Sequence, residues 1–220
     1  MSDIATQRKR DGQQRRRELC DAAVQVLAEQ GSHGLSHPKV DRQAGVPSGT
    51  TSYYYRTRAA LLRGVAERVA EMDTANLQSV TEESTKSDSP FGRIAHLVMM
   101  QAEGPGLMLN KARQELLLAS TRDPALAEVY QDFLPHIITM CRDAIGQVLP
   151  PEASSNPELL NMQSTAVTTF IGGVYGRLLV GDQTIANAEQ LERFLTAIVR
   201  AVSAEYSATA GTRKSKRRSR

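Results

Sequence analysis

Apolar residues recur at intervals of three and four along most of the chain, and nowhere do they alternate in twos for long. Leu19, Ala22, Ala23, Val26 and Leu27 form the first stripe, and Gly31 behind it suits the left-handed residue that closes a helix. A short segment follows, SHPKVDRQ, with Ser36 placed to cap it and Pro38 tolerated in its first turn. Ala44-Gly45-Val46 makes a tight break, and Pro47 opens a very short helix to about Tyr54. Thr57 is the N-cap of a long helix to about Val80, with Leu61, Leu62, Val65, Val69 and Met72 inward. The polar stretch TEESTKSDSP, 81–90, interrupts the pattern. Helices resume at 91–102, about 107–121, about 124–149, 157–181 and 187–208. No Asn-Gly or Asp-Gly hairpin joins β-branched runs, so the expected fold class is all-α.

Charge adds a division that hydropathy alone does not give. Residues 1–68 hold 12 Lys/Arg against 7 Asp/Glu, residues 69–210 hold 9 against 17, and residues 211–220 hold 6 against none. The net +3 therefore hides two basic ends and an acidic middle. Basic ends suit a polyanion, and nucleic acid is the usual one. No apolar run reaches the ~18 residues of a membrane span, and the basic N-terminus has no apolar segment behind it to make a signal peptide. Cys20 and Cys141 form no CxxC and read as buried reduced thiols, which places the chain in the cytoplasm.

Helix, short helix, glycine-containing turn and short helix is the sequence form of a helix-turn-helix. Here Ala44-Gly45-Val46 is the turn, and Val40, Val46 and Leu61 pack inward. The second helix presents Ser48, Gly49, Thr50 and Ser52, short polar groups suited to the major groove. Gly49 costs about 1 kcal/mol of helix propensity, a cost consistent with close backbone approach to DNA. Three of the six tyrosines stand together at Tyr53, Tyr54 and Tyr55. A helix sends successive residues in different directions. Tyr55 is expected to face the core, which leaves Tyr53 or Tyr54 to reach a phosphate, with Arg56 and Arg58 beside them.

Residues 14–62 resemble the DNA-binding domain of the tetracycline-repressor (TetR) family of bacterial transcription regulators. The resemblance rests on Val26-Leu27-Ala28-Glu29-Gln30-Gly31, on Ser36, and on the run from Ala44-Gly45-Val46-Pro47-Ser48-Gly49-Thr50 through Tyr53-Tyr54-Tyr55 to Leu61. Asp41 stands where the family usually has Ala, Thr51 replaces a core Leu, Ser52 replaces a Tyr that often contacts DNA, and Arg58 replaces a Lys. The resemblance implies DNA contacts from Ser36, His37, Lys39, Ser48, Gly49, Thr50, Ser52, Tyr53, Tyr54 and Arg58. It also implies a helix-turn-helix domain at 13–62 and a larger helical-bundle ligand-binding and dimerisation domain at 63–208, while composition makes residues 1–12 a basic disordered arm and 209–220 a basic disordered tail.

The same resemblance implies a homodimer on a palindromic operator of double-stranded DNA, released by a small-molecule effector of unknown identity, with no membrane partner. Dimer candidates are Phe170, Gly173, Gly176, Phe194, Leu195 and Ile198, with an intrachain core as the competing role for these helices. Effector-pocket candidates are Met99, Met100, Leu107, Met108, Phe133, Met140 and Phe170, soft side chains able to line an adaptable site. His96, Arg113, His136 and Tyr175 are possible polar groups there.

No enzyme, cofactor or metal is expected. None of the four histidines follows a Glu by three residues, and HExxH, P-loop, GxGxxG and GxSxG patterns do not occur. The competing function is an architectural or protein-responsive module that uses its basic tail for non-specific DNA binding.

Overall fold

The computed structural model describes residues 2–82 and 89–218, with side chains described for 11–76, 78 and 89–209. Among the described residues there is no strand. The helices are α1 (Ser2–Gly34), α2 (His37–Gln43), α3 (Thr50–Tyr54), α4 (Arg58–Glu82), α5 (Pro90–Met99), α6 (Gly104–Ser120), α7 (Pro124–Val148), α8 (Pro151–Ser154), α9 (Pro157–Leu179) and α10 (Ala188–Arg218), with a 3₁₀ turn at Met100–Ala102 after α5.

Local chemistry sets the helix starts. Thr57 Oγ1 accepts from the Ala60 amide at 3.0 Å, the cap expected for α4. Asn156 Oδ1 accepts from the Glu158 and Leu159 amides at 3.1 and 3.2 Å and starts α9, with Pro157 in the first turn. Gly31 has φ 69°, so the chain turns there although the helical hydrogen bonding continues to Gly34. α3 starts at Thr50, three residues later than Pro47, because Gly49 has φ 91° and cannot belong to a right-handed helix.

The ends differ more. α1 begins at Ser2, so residues 2–12 extend the first helix where a disordered arm was expected. α10 continues to Arg218, past the expected end at 208. Both extensions carry Lys and Arg and contain no Pro, so no residue in them breaks a helix outright. Residues 83–88 of the polar break lie outside the described residues.

The chain divides into two compact units, residues 1–76 with 103–133, and 77–102 with 134–220. This differs from a boundary at residue 62. The first 19 residues of α4 and the whole of α6 join the helix-turn-helix unit, because α6 packs along α1 and their apolar faces share one core. That core holds Leu19, Ala23, Leu27, Leu35, Val40, Leu61, Val65, Leu109, Ala112 and Leu116. Polar ties fasten its rim. Glu115 Oε2 accepts from the Ser32 amide at 2.7 Å, and Arg68 Nε donates to Asp21 Oδ1 at 2.6 Å. The second unit packs α5, α9 and α10 around Phe91, Ile94, Ile145, Val167, Val174, Leu191, Leu195 and Val199. Inside it, Gln163 Nε2 donates to the Val199 carbonyl at 3.2 Å and to Ser203 Oγ at 2.8 Å.

Candidate nucleic-acid interface

The turn between α2 and α3 is built on Gly45 and Asp41. Gly45 has φ 64°, a conformation that an L side chain disfavours. The Asp41 carbonyl accepts from the Val46 amide at 3.0 Å and fixes the far side of the turn. Its carboxylate reaches forward to α3. Oδ2 accepts from the Gly49 amide at 2.8 Å, and Oδ1 accepts from the Thr51 amide at 2.7 Å and from the Thr51 hydroxyl at 2.5 Å. Asp41 is 4% exposed and Thr51 is fully buried. Burial works against the charge of this carboxyl. The hydrogen bonds from Thr51 and Gly49 outweigh burial, His37 nearby helps, and the carboxyl is held below its ordinary value.

The three tyrosines separate as helical geometry requires. Tyr53 points outward, 79% exposed. Tyr54 is half-buried and meets the Tyr53 ring edge-on at a centroid distance of 5.1 Å. Tyr55 is buried, its hydroxyl 3.1 Å from Cys20 Sγ. Burial, followed by the contact with Cys20, raises the Tyr55 phenol, and burial pushes the Cys20 thiol up to about 11. The Arg16 guanidinium lies 5.4 and 5.3 Å from the Tyr54 and Tyr55 ring centroids and donates to the Tyr54 carbonyl at 3.0 Å. His37 Nε2 donates to the Tyr55 carbonyl at 2.6 Å, which fixes the imidazole proton on Nε2. A guanidinium and a thiol from α1 and an imidazole from α2 thus converge on the end of α3.

The residues expected to contact DNA fall into two groups. Ser48, Gly49, Ser52 and Tyr53 are exposed, and no contact with the rest of the protein holds their side chains apart from the Tyr53–Tyr54 edge. The others are partly engaged. The Thr50 hydroxyl donates to the Pro47 carbonyl at 2.6 Å, Lys39 Nζ donates to Gln30 Oε1 at 2.6 Å, and Arg58 donates to the Ser32 carbonyl. Ser36 caps α2 by backbone conformation alone, without a side-chain hydrogen bond. The carboxylate clasp of Asp41 and the stacking of Arg16 were not foreseen. The signal for the first was present, since an acid at a buried helical position requires donors.

The pocket candidates are divided between the units. Leu107, Met108 and Phe133 lie in the first, and Met99, Met100, Met140 and Phe170 in the second. Phe133 lines an apolar cavity of about 50 Å³ in the first unit, with Ala66, Val69, Asp73, Leu116, Leu126 and Val129. Met99, Met140 and Phe170 pack against the core of the second unit, and Met100 is 51% exposed. Arg113 stands on the wall of the cavity, where Nε and Nη2 donate to Asp73 Oδ2 and Oδ1 at 3.0 and 2.5 Å. Its volume suits a few waters, against the ~300 Å³ or more of a site for a drug-sized molecule.

Of the dimer candidates, the Phe170 and Phe194 rings meet at a centroid distance of 6.0 Å, tilted by 58°, and Gly173 and Gly176 are exposed with open space beside them. Ile198 is half-buried against the core of the second unit. Leu195 has to be removed from that set. It is fully buried in the core of the second unit and has no surface for a second copy.

Among the described residues no helix is long and apolar enough to cross a membrane. Residues 19–65 match the family model described as bacterial regulatory proteins, tetR family. No curated protein matches. Among solved structures, the chain resembles a putative TetR-family transcriptional regulator from Rhodococcus sp. at 20% identity, with 86% of this chain and 97% of that one covered and a TM-score of 0.64. It resembles a TetR-family member from Streptomyces coelicolor A3 at 24% identity, with 84% and 97% covered and a TM-score of 0.63. It is also similar to the multidrug binding protein EbrR complexed with ethidium, at 25% identity, 84% and 97% coverage and a TM-score of 0.57. The family model thus places a tetR-type helix-turn-helix DNA-binding domain at residues 19–65, and the fold of the chain is similar to that of these regulators over most of its length.

Proposed function

We propose that this chain is a sequence-specific repressor that binds a palindromic operator as a homodimer and is released by a small-molecule effector. One observation carries the DNA-reading part. α3 is fastened on its inner side by Asp41, Thr51 and Tyr55, while Ser48, Gly49, Ser52 and Tyr53 stand free at its outer side. A rigid, short polar edge of this kind fits the major groove, and Gly49 lets the backbone come close. Tyr53, with its hydroxyl in solvent, takes the phosphate contact that Ser52 is too short to make. Lys39, Arg58 and the ends of α2 and α4 add backbone contacts, which position the domain without reading sequence.

Support for a dimer comes from the face of α9 and α10 that bears Phe170, Gly173, Gly176 and Phe194. Glycines with nothing beside them allow two helices to approach closely, and the paired aromatic rings supply apolar area. Support for an effector comes from the likeness to EbrR, solved with ethidium and with proflavin. The cavity on α4, α6 and α7 is too small for such a ligand as it stands, so binding requires those helices to part. A ligand that prefers the parted state shifts the population toward it and weakens operator binding by linkage.

The test is selection. Full-length protein is mixed with sheared genomic DNA of its source at near-physiological salt, and the retained fragments are sequenced. Enrichment of one or a few palindromes supports the reading. Uniform retention that vanishes when residues 211–220 are deleted overturns it in favour of non-specific binding by the basic tail.

A further inference from the structure

Two unusual residues of the helix-turn-helix touch each other. Asp41 is an acid at an inward position of α2, and Thr51 is a polar residue at the inward position of α3. Each is nearly or wholly buried, and each answers the other. The carboxylate takes three hydrogen bonds, from the Gly49 amide at 2.8 Å, from the Thr51 amide at 2.7 Å and from the Thr51 hydroxyl at 2.5 Å. An isolated buried carboxylate or hydroxyl is costly, whereas a matched set is stable and geometrically demanding. The same residue's carbonyl holds the Val46 amide at 3.0 Å across the turn. One residue therefore fixes both the turn and the first helical amides of α3.

We infer that Asp41 and Thr51 act as one positioning unit that sets the angle and depth at which α3 meets DNA. The inference rests on the proposed DNA-reading role of α3. Neither residue touches DNA. Thr51 is fully buried and Asp41 nearly so, and both act through Gly49, the exposed residue where the backbone of α3 would come nearest the bases. The α2–α3 connection has two glycines at positive φ, Gly45 at 64° and Gly49 at 91°, so this segment has little stiffness of its own. The clasp supplies it.

The unit predicts a reversal of sign between single and double variants. Thr51→Leu alone leaves the buried carboxylate short of a donor and crowded, and lowers affinity for the selected operator duplex by a hundredfold or so. Adding Asp41→Ala removes the orphaned acid and makes room, because replacing both partners by apolar groups of similar summed volume approaches neutrality. The double variant then binds the operator at least tenfold more tightly than Thr51→Leu. Thr51→Ser keeps the hydroxyl and stays within about threefold of the unmodified chain. Thr51→Val, which keeps shape and fold, loses about tenfold.

The measurement is fluorescence anisotropy of the full chain on the selected operator duplex and on a scrambled duplex of the same length, with thermal midpoints recorded in parallel. The expected result is a fall in the operator-to-scrambled affinity ratio for Thr51→Val and Thr51→Leu, partly restored in the double variant. If the double variant is weaker than Thr51→Leu, the losses add and the unit does not exist. If midpoints fall while the affinity ratio is unchanged, the pair is a packing feature only and the inference is overturned. If the unmodified chain itself has no preference between the duplexes, the DNA-reading proposal fails and takes this inference with it, an outcome distinguishable from the other two.

Discussion

Gly64→Ala is a substitution on which two effects of known size oppose each other. Gly64 lies inside α4, where alanine is worth about 1 kcal/mol more than glycine. Propensity alone therefore predicts stabilisation. A Cβ at Gly64, however, would stand 2.6 Å from Tyr55 Cε1, 3.0 Å from Cζ and 3.1 Å from the hydroxyl oxygen. The nearest of these is a contact that real side chains do not make, so the ring must move. It is held on several sides: its hydroxyl meets Cys20 Sγ at 3.1 Å, Arg16 covers its face at 5.3 Å, and its carbonyl accepts from His37 at 2.6 Å. Crowding a packed core by one methyl costs about 1–3 kcal/mol. With the ring held on several sides the cost falls at the upper end of that range, so strain wins by up to about 2 kcal/mol, which lowers the midpoint by about 2–4 °C per kcal/mol in a chain of this size. Gly146→Ala in α7 is the control, since nothing lies within 4 Å of its Cβ position and propensity acts there unopposed. Thermal and urea unfolding followed by far-ultraviolet circular dichroism separates the two. A Gly64→Ala chain that melts higher, as Gly146→Ala should, would refute the claim that Tyr55 is fixed.

Three further outcomes are expected. Arg113→Met should cost about 3–5 kcal/mol in urea unfolding because it strands Asp73, whose side chain is only 12% exposed, while Arg113→Met with Asp73→Leu should recover most of that loss. Asp41 is held below its ordinary value when folded, so its contribution is present above the unfolded carboxylate value and is lost as pH falls through the folded one; Asp41→Asn should flatten the acid limb of a stability–pH curve while lowering stability near neutrality. Deleting residues 211–220 removes 6 Lys/Arg and no acid from each chain, and should reduce the slope of log affinity against log salt by up to about 5 per protomer bound without changing which duplex is preferred.

How legible each feature was depends on whether its cause is local. Thr57 and Pro157 begin helices through chemistry within three or four residues, and such starts are read from sequence, whereas the start of α5 at Ser89 and Pro90 lies inside the stretch 81–90 expected to be a break. The recognition turn was legible for the same reason, since Gly45 answers a backbone demand within a few residues. The placing of α6 with the helix-turn-helix unit was not, because nothing in residues 104–120 says that their apolar face meets α1 rather than its neighbours in sequence. That pairing is sealed by Glu115 on the Ser32 amide, a contact 83 residues apart. Leu195 failed as an interface candidate for a related reason. Helical periodicity marks which residues are buried, and it does not say whether the burial is within one chain or between two. Asp41 stood out in the sequence as an acid where the family usually has Ala, but nothing there pointed to Thr51, which the turn brings to it.

The distribution of fixed and free groups on α3 explains why the polar clasp is tolerated. A five-residue helix has too few internal hydrogen bonds to hold itself, and nucleation alone would leave it frayed. Apolar packing on the inner side could supply stability, but it is weakly directional and lets a short helix roll. A carboxylate that accepts from two amides of the first turn, Gly49 and Thr51, and from one hydroxyl fixes rotation as well as position. The outer side then needs no internal partner, and Ser48, Gly49, Ser52 and Tyr53 remain unengaged by the rest of the fold apart from one ring edge. Binding energy that would otherwise order α3 on contact is kept for the contact itself. Tight operator binding from so small an element is therefore expected to depend more on the buried face of α3 than on any single exposed side chain.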